Sequence, residues 1–405
     1  MKSRILFSPY MAYCISFLLV IPIYLLDWSY LFPPITSTLL FFFLVTFCVA
    51  LVGAVFFKDL LPLTYKRQTL AVKDLYVILL ILFHLADFAY SRTIPLFALI
   101  NNISFITVAD TYGIPVMHVF IVGYTAFIST VFFHSYLSQK KTKYLLYYIL
   151  ALVFALLIIS RITLTFIFVS SIYVYLMSIR KNLAGKLVKI GVIATLFLGG
   201  FGLIGNLRTT NEVDAGNLIL VLGEAKPRFA NSGIPAPYFW GYLYIASPLA
   251  NLQLNIDRRD VTFTIDKLVQ LIIHEFLWDS ISNRIDAKYD YKRAEITQIN
   301  GSLNVGSVFV KPYVYLGLWG MYIMYGFMFL ITTLYMFTLN RQSKYFITYI
   351  ACFNTIIVLC IFDNLLAFTP LSIILVFPLI EKIKHFFIKS KMIDERNDHY
   401  TLSHI

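Results

Sequence analysis

The chain has 405 residues, of which 59% are hydrophobic, 17% aromatic and only 13% charged. That balance excludes an ordinary soluble globular protein and points to a polytopic membrane protein. The formal charge of +12 does not indicate a nucleic-acid partner. Lys and Arg sit in short clusters between apolar runs, the pattern that orients helices in a bilayer.

In chain order, apolar stretches occur at 10–26, 35–57, 75–90, 114–137, 144–160, 162–179, 190–205, 313–339, 345–362 and 365–380. Each reaches or approaches the roughly 20 residues that cross about 30 Å of hydrocarbon, so the expected fold is an all-α polytopic integral membrane protein with about ten transmembrane helices. The first stretch reads as an uncleaved span, because no small-residue cleavage site follows it. Cys14, Cys48, Cys352 and Cys360 all fall in apolar segments, which argues against a disulfide framework and a thiolate metal site.

Alternate loops carry the cations: Lys2 and Arg4, then Lys58, Lys66, Arg67 and Lys73, then 140–143, 180–189, 341–344 and the tail from Lys382. The short loops of the other side hold only Arg92 and Arg161. The positive-inside rule therefore places both termini in the cytoplasm. The expected organisation is a first membrane block over 1–205, one large external loop over 206–311, a second membrane block over 312–381 and a cytoplasmic tail over 382–405.

Arg161 interrupts an apolar run from Tyr144 to Ile179. As one helix this run would be about 54 Å long, too long for one span and just enough for two short ones. Ser160 and Arg161 then form a tight turn at the external face, beneath the large loop.

Within that loop, Ile265, Leu268, Val269, Ile272, Ile273 and Phe276 recur at helical spacing, predicting an amphipathic helix over 262–281 that lies on the membrane or on the spans. The aromatic stretch 235–253, broken by Pro248, reads as a short helix in the interface.

The pattern GFGLIG at 200–205 matches a dinucleotide-binding turn, but it lies inside a predicted span, where small residues serve helix packing. His274 and Glu275 do not begin an HExxH zinc motif, and no Asp-x-Asp pair is present to hold a metal on a diphosphate. Neither a metal nor a cofactor is expected. Diphosphate recognition would fall to arginines, whose planar forks match phosphate oxygens: Arg161, Arg208, Arg228, Arg258, Arg259, Arg284 and Arg293. For any one loop arginine, a solvated or salt-bridged surface role is the commoner outcome, whereas Arg161 at membrane depth defaults to a functional reading.

His84 and Asp87 share one helix face and offer either a base or an ion pair of Asp87 with Arg92 or Arg161. Asp363 and Asn364 read as turn residues. Tyr238, Phe239, Trp240, Tyr242 and Tyr244 could form a sugar platform or a membrane anchor. As general bases, His274, Glu275, Glu212, Asp214, Glu224, Asp257, Asp260 and Asp279 stay open, because spacing does not show which reaches a substrate hydroxyl.

The predicted spans with one large external loop, "SR" at 160–161, "GYLYIASPLANLQ" from Gly241 and "VYLGLWGMYIMYGFMF" from Val314 together resemble the Wzy-type oligosaccharide repeat-unit polymerases of O-antigen assembly. The arginine followed after ten residues by glycine, described in some members' loops, has no clear copy here. The resemblance implies a metal- and nucleotide-independent glycosyltransferase of the bacterial inner membrane. It would pass a growing glycan from undecaprenyl pyrophosphate onto a new lipid-linked repeat unit at the periplasmic face. In that role Arg161, Arg208, His274, Glu275 and Asp87 would be catalytic. Arg228, Arg258, Arg259, Arg284, Tyr238, Trp240, Tyr242 and Tyr244 would bind substrate. The partners implied are the lipid-linked oligosaccharide, the growing glycan, the bilayer, a chain-length-regulating co-polymerase and the flippase. The alternatives are an O-antigen ligase using the same donor and a flippase of the lipid-linked unit.

Overall fold

The computed structural model describes residues 5–61, 65, 67–68, 72–101, 103, 112–179, 183–210, 218–289 and 291–384, with some side chains of 183–210 excepted. Among these residues the chain is built of helices, with an isolated β-bridge between Ser29 and Ala225. The principal helices are α1 (Pro9–Tyr24), α2 (Ser37–Phe56), α3 (Leu75–Ser91), α4 (Met117–Gln139), α5 (Thr142–Leu157) and α6 (Arg161–Ser178). They continue with α7 (Leu183–Thr210), α8 (Ala236–Arg258), α9 (Ile265–Leu271), α10 (Asp279–Tyr289), α11 (Val310–Thr338) and α12 (Phe346–Leu359).

Four of these, α2, α4, α6 and α11, are long and apolar enough to cross a membrane, and α1, α3, α5, α12 and the 188–200 part of α7 are shorter apolar helices. This is an all-α membrane protein. The last apolar stretch, expected as one span over 365–380, is instead segmented: a turn of helix at Thr369–Ser372, a 3-10 turn at Ile373–Val376 and helix again over 377–384.

The bundle forms around two buried helices. α12 packs on α1, α4 and α6 and buries nearly every side chain, as a helix that is apolar all round must. α8 packs on α1, α7 and α11. Over 235–253 the expectation was a short interfacial helix, but α8 is a long helix buried along most of its length. Its polar residues explain how it can be buried: Asn251 donates to Leu303 O and Val305 O at 2.7 Å and accepts from Ile299 N, while Asn255 bonds Thr297 through both O and N. These amides are matched by Thr297 N and O, Ile299 N, Leu303 O and Val305 O, so they are satisfied without water.

Gly202 of the GFGLIG pattern sits against α8, where an added Cβ would come within 2.3 Å of Pro237 O. That contact is helix packing through a small residue.

The predicted 262–281 helix is three pieces. The α-helix stops at Leu271, Ile272–Phe276 form a π turn, and α10 starts at Asp279. Ile265, Val269 and Ile272 are exposed while Leu271 is buried against Tyr315 and Leu316 of α11, so the amphipathic character holds over the first piece.

Candidate active site

Three local departures from regular helix bring the site together. The first separates α5 from α6. Ile159 is left-handed (φ 52°), Ser160 N bonds Ala155 O and Ile159 N bonds Leu156 O, a Schellman-type stop. Ser160 then caps the next helix by accepting from Thr163 N, which makes Arg161 the first residue of α6. A β-branched residue is unfavourable in this conformation, so the turn is imposed by its surroundings.

The second departure is in α11. Leu316 and Gly317 leave helical geometry, with Gly317 at φ 61° and ψ −143°, a region open to glycine. The kink folds the Val310–Tyr315 turn back so closely that a Cβ on Gly320 would lie 1.9 Å from Pro312 O. The third is the π turn, a helix form frequent at functional sites, which carries His274 and Glu275 side by side. It is pinned to the loop after α12: Asn364 Nδ2 donates to Glu275 O at 2.7 Å, Asp279 N to Ala367 O at 2.9 Å and Ser280 N to Thr369 Oγ1 at 3.1 Å.

Between these features lies a cavity of about 370 Å³ lined by Arg161, Thr165, Tyr244, His274, Glu275, Asp279, Arg293, Lys311, Asp363 and Asn364, with apolar walls from Ile162, Leu198, Ile245, Leu359, Phe362 and Phe368. The size and the mixture of apolar wall with convergent polar groups suit a ligand site. The cations and anions form a network. Lys311 Nζ is 3.0 Å from Asp363 Oδ1, and Arg293 donates through Nε to Asp286 Oδ2 at 3.0 Å while its Nη1 is 3.9 Å from Asp279 Oδ1. The Arg161 guanidinium lies 5.9 Å from the centroid of the Tyr244 ring, which itself packs on Phe362 at 5.5 Å.

His274 is 3% exposed, and both ring nitrogens are engaged: Nδ1 is 2.6 Å from Tyr315 Oη and Nε2 is 2.8 Å from Asp286 Oδ1. Ala294 N donates to the same Tyr315 oxygen at 2.9 Å. Glu275 is also 3% exposed, and Asn364 Nδ2 donates to its Oε2 at 3.0 Å. Burial pushes the Glu275 carboxyl up to about 7, against the opposing pull of Lys311. Burial likewise raises Asp279. At Asp286 the hydrogen bonds from His274 and Arg293 outweigh burial and hold the carboxyl below its usual range.

Of the residues singled out from sequence, the cavity gathers Arg161, Tyr244, His274 and Glu275, along with Asp279 and Arg293 from the wider sets. Among the described residues it does not gather the others. Asp87 is fully buried elsewhere, 2.7 Å from His118 Nδ1 and accepting from Ile114 N, so its partner is neither Arg92 nor Arg161. His84, on the same face, stacks on Phe154 at 4.4 Å.

Tyr242 is buried and accepts from Trp28 N and Trp240 is buried, so these two are core, while Tyr238 is half-buried and packs beside Gly199, outside the cavity. Arg228, Arg258 and Arg284 are exposed outside the cavity, and Arg259 binds Glu295 O and Thr297 Oγ1. Arg208 belongs to α7, but its side chain lies outside the described residues, as do Glu212 and Asp214.

Lys311, Asp286, Tyr315 and Asn364 were not singled out as functional. Lys311 carries the one signal available, a lone cation at the head of a long apolar run. Asp363 and Asn364 do form a turn, with Asp363 Oδ1 accepting from Asn364 N, and that turn also supplies the cavity. Among the described residues, no group of three or more His, Cys, Asp or Glu could hold a metal ion. Compared with known proteins, the chain matches no family model, no curated protein and no solved structure.

Proposed function

We propose that this chain is a glycosyltransferase that polymerises undecaprenyl-pyrophosphate-linked repeat units into a surface polysaccharide, with the 370 Å³ cavity as its active site. The observation that carries the reading is the meeting of Arg161, Lys311 and Arg293 with the buried pair His274 and Glu275 at the ends of two apolar helices, α6 and α11. A lipid-anchored diphosphate presents its charge at just that depth. Guanidinium and ammonium groups stabilise the charge that develops on a departing diphosphate, and the N-terminus of α6 adds its helix dipole.

The apolar wall of Tyr244, Phe362 and Phe368 suits the C–H face of a sugar ring. The cation distribution between predicted spans favours cytoplasmic termini and about ten crossings, which puts the head of α6 and the 206–311 segment on the periplasmic face of a bacterial inner membrane. In this reading the donor glycan leaves its carrier lipid for the hydroxyl of a new lipid-linked unit. A chain-length regulator and the flippase act beside it.

An O-antigen ligase would use the same donor and the same cations, and the two readings part on the acceptor. The test is the surface polysaccharide profile of a strain lacking this gene, complemented with wild type or Arg161→Ala at equal membrane levels. A deletion strain whose lipid A core carries a single repeat unit, restored to a ladder by wild type only, supports polymerisation. Loss of even the single-unit band points to ligation or flipping, and an unchanged ladder removes the protein from the pathway.

A further inference from the structure

The geometry points to Glu275 as the proton acceptor of the transfer, the group that takes the proton of the attacking sugar hydroxyl, with His274 beside it a positioning residue; this rests on the glycosyl-transfer reading above. The two residues are adjacent in the π turn and equally buried, so sequence and exposure do not separate them. Their hydrogen bonds do.

His274 has no nitrogen left for a substrate. Tyr315 Oη already accepts from Ala294 N, which leaves its own O–H to donate to His274 Nδ1, while the Nε2–H faces Asp286 Oδ1. In the protonated form both ring N–H groups point at the same two partners. Taking a substrate proton at Nδ1 would require breaking the bond from Tyr315. Asp286 is held in turn by Arg293, whose Nη2 also binds Ser282 Oγ and Asn283 Oδ1 at 2.6 Å. The chain from Tyr315 through His274 and Asp286 to Arg293 therefore fixes the π turn.

Glu275 differs. Asn364 occupies only Oε2, and Oε1 takes part in no hydrogen bond among the described residues. The side chain lines the cavity, so Oε1 is the acceptor available to a bound hydroxyl. The other carboxylates of the cavity are each matched to a cation, Asp363 to Lys311 and Asp279 to Arg293. The charged and titratable groups around Glu275 are then Lys311, Asp363, Asp279, His274 and the Asp286–Arg293 pair, and burial dominates over all of them in raising the carboxyl to about 7. A base with that affinity is ionised about half the time at neutral pH and still attracts a proton strongly enough to help.

The step balances. The acceptor hydroxyl oxygen bonds to the anomeric carbon as that carbon's bond to the diphosphate oxygen breaks. The bonding electron pair leaves with the lipid diphosphate, and the hydroxyl proton passes to Glu275 Oε1 and then to water.

The test uses the full-length protein in liposomes with the lipid-linked repeat unit extracted from cells lacking it. Turnover is measured across pH for wild type, Glu275→Gln, Glu275→Asp and His274→Gln, with competition by undecaprenyl diphosphate as a separate measure of donor binding. Wild-type turnover rises through neutral pH. Glu275→Gln loses at least ~100-fold in turnover with competition unchanged. Glu275→Asp keeps part of the rate with the pH rise displaced. His274→Gln lowers the rate yet keeps the rise. Undiminished turnover in Glu275→Gln, or a pH rise that survives there and disappears in His274→Gln, overturns the assignment. If Glu275→Gln does not fold, an undisplaced pH rise in Glu275→Asp overturns it equally. A wild-type protein that competes for undecaprenyl diphosphate but transfers no glycan overturns the underlying reading instead.

Discussion

Arg161 and Tyr244, far apart in sequence, meet with the guanidinium carbon 5.9 Å from the ring centroid. The contact joins the head of α6 to the middle of α8, the helix on which the 297–305 segment is zipped. An arginine against an aromatic ring makes that contact through its π face and not through its N–H donors. The donors are what a diphosphate would bind.

Substitution of Arg161 should therefore separate charge from shape. Arg161→Ala should lower turnover by roughly 10²–10³-fold, and Arg161→Lys should recover only part, because an ammonium retains the charge without the planar fork. Tyr244→Ala, which removes the face and not the charge, should weaken donor binding by about tenfold at most. Steady-state kinetics with the extracted lipid-linked unit checks all three.

Glu275 should cost the protein stability in exchange for its chemistry. Its folded-state carboxyl titrates near 7 against an ordinary 4.5. A group with a raised pKa holds its proton better when folded, so stability falls as pH rises from about 4.5 through about 7 and stays low above that. Glu275→Gln removes the penalty while Asn364 can still donate to the amide oxygen. The variant should be more stable in detergent than wild type at pH about 8, by on the order of 3 kcal/mol and with a higher thermal midpoint, and no more stable at pH about 4.5. A midpoint difference that does not change with pH would contradict the origin of the shift.

The kink in α11 should tolerate no side chain. At Gly317 the φ of 61° with ψ of −143° suits glycine alone, so Gly317→Ala should cost about 1–3 kcal/mol and displace Lys311 from the cavity and Tyr315 from His274. Gly320→Ala should be worse, because its Cβ meets the Pro312 carbonyl. Thermal unfolding in detergent, read together with turnover, distinguishes a displaced site from a protein that fails to fold.

Asn251→Leu should be destabilising although leucine suits a buried helix. It leaves Leu303 O, Val305 O and Ile299 N without partners, at about 1–3 kcal/mol for each group left unsatisfied. Protease cleavage within 297–305 should accelerate in the variant while cleavage elsewhere does not.

How much of this could be read from the sequence depended on distance along the chain. Arg161 at a break between two helices followed from the length of the apolar run alone, and His274, Glu275 and Tyr244 followed from residue type. The stop at Leu271 and the π turn were invisible because Ile265, Leu268 and Ile272 keep a helical rhythm on both sides of it. Asn251 and Gln253 lie in the stretch whose aromatics and prolines predict a short interfacial helix, yet the 297–305 backbone and Thr36, which bond them, lie far off in sequence. Trp240 and Tyr242 share their composition with sugar platforms, and only packing places them in the core. Lys311, Asn364 and Asp286 reach the site through tertiary contacts that no local pattern encodes.

The most direct measurement is the stoichiometry of transfer in liposomes containing only this protein and the extracted lipid-linked repeat unit. One undecaprenyl diphosphate should appear for every repeat unit joined, with glycans of increasing length and no nucleotide or ATP added, and Arg161→Ala should lower both products together. Glycan chains that fail to lengthen while the lipid-linked unit remains intact would contradict the account.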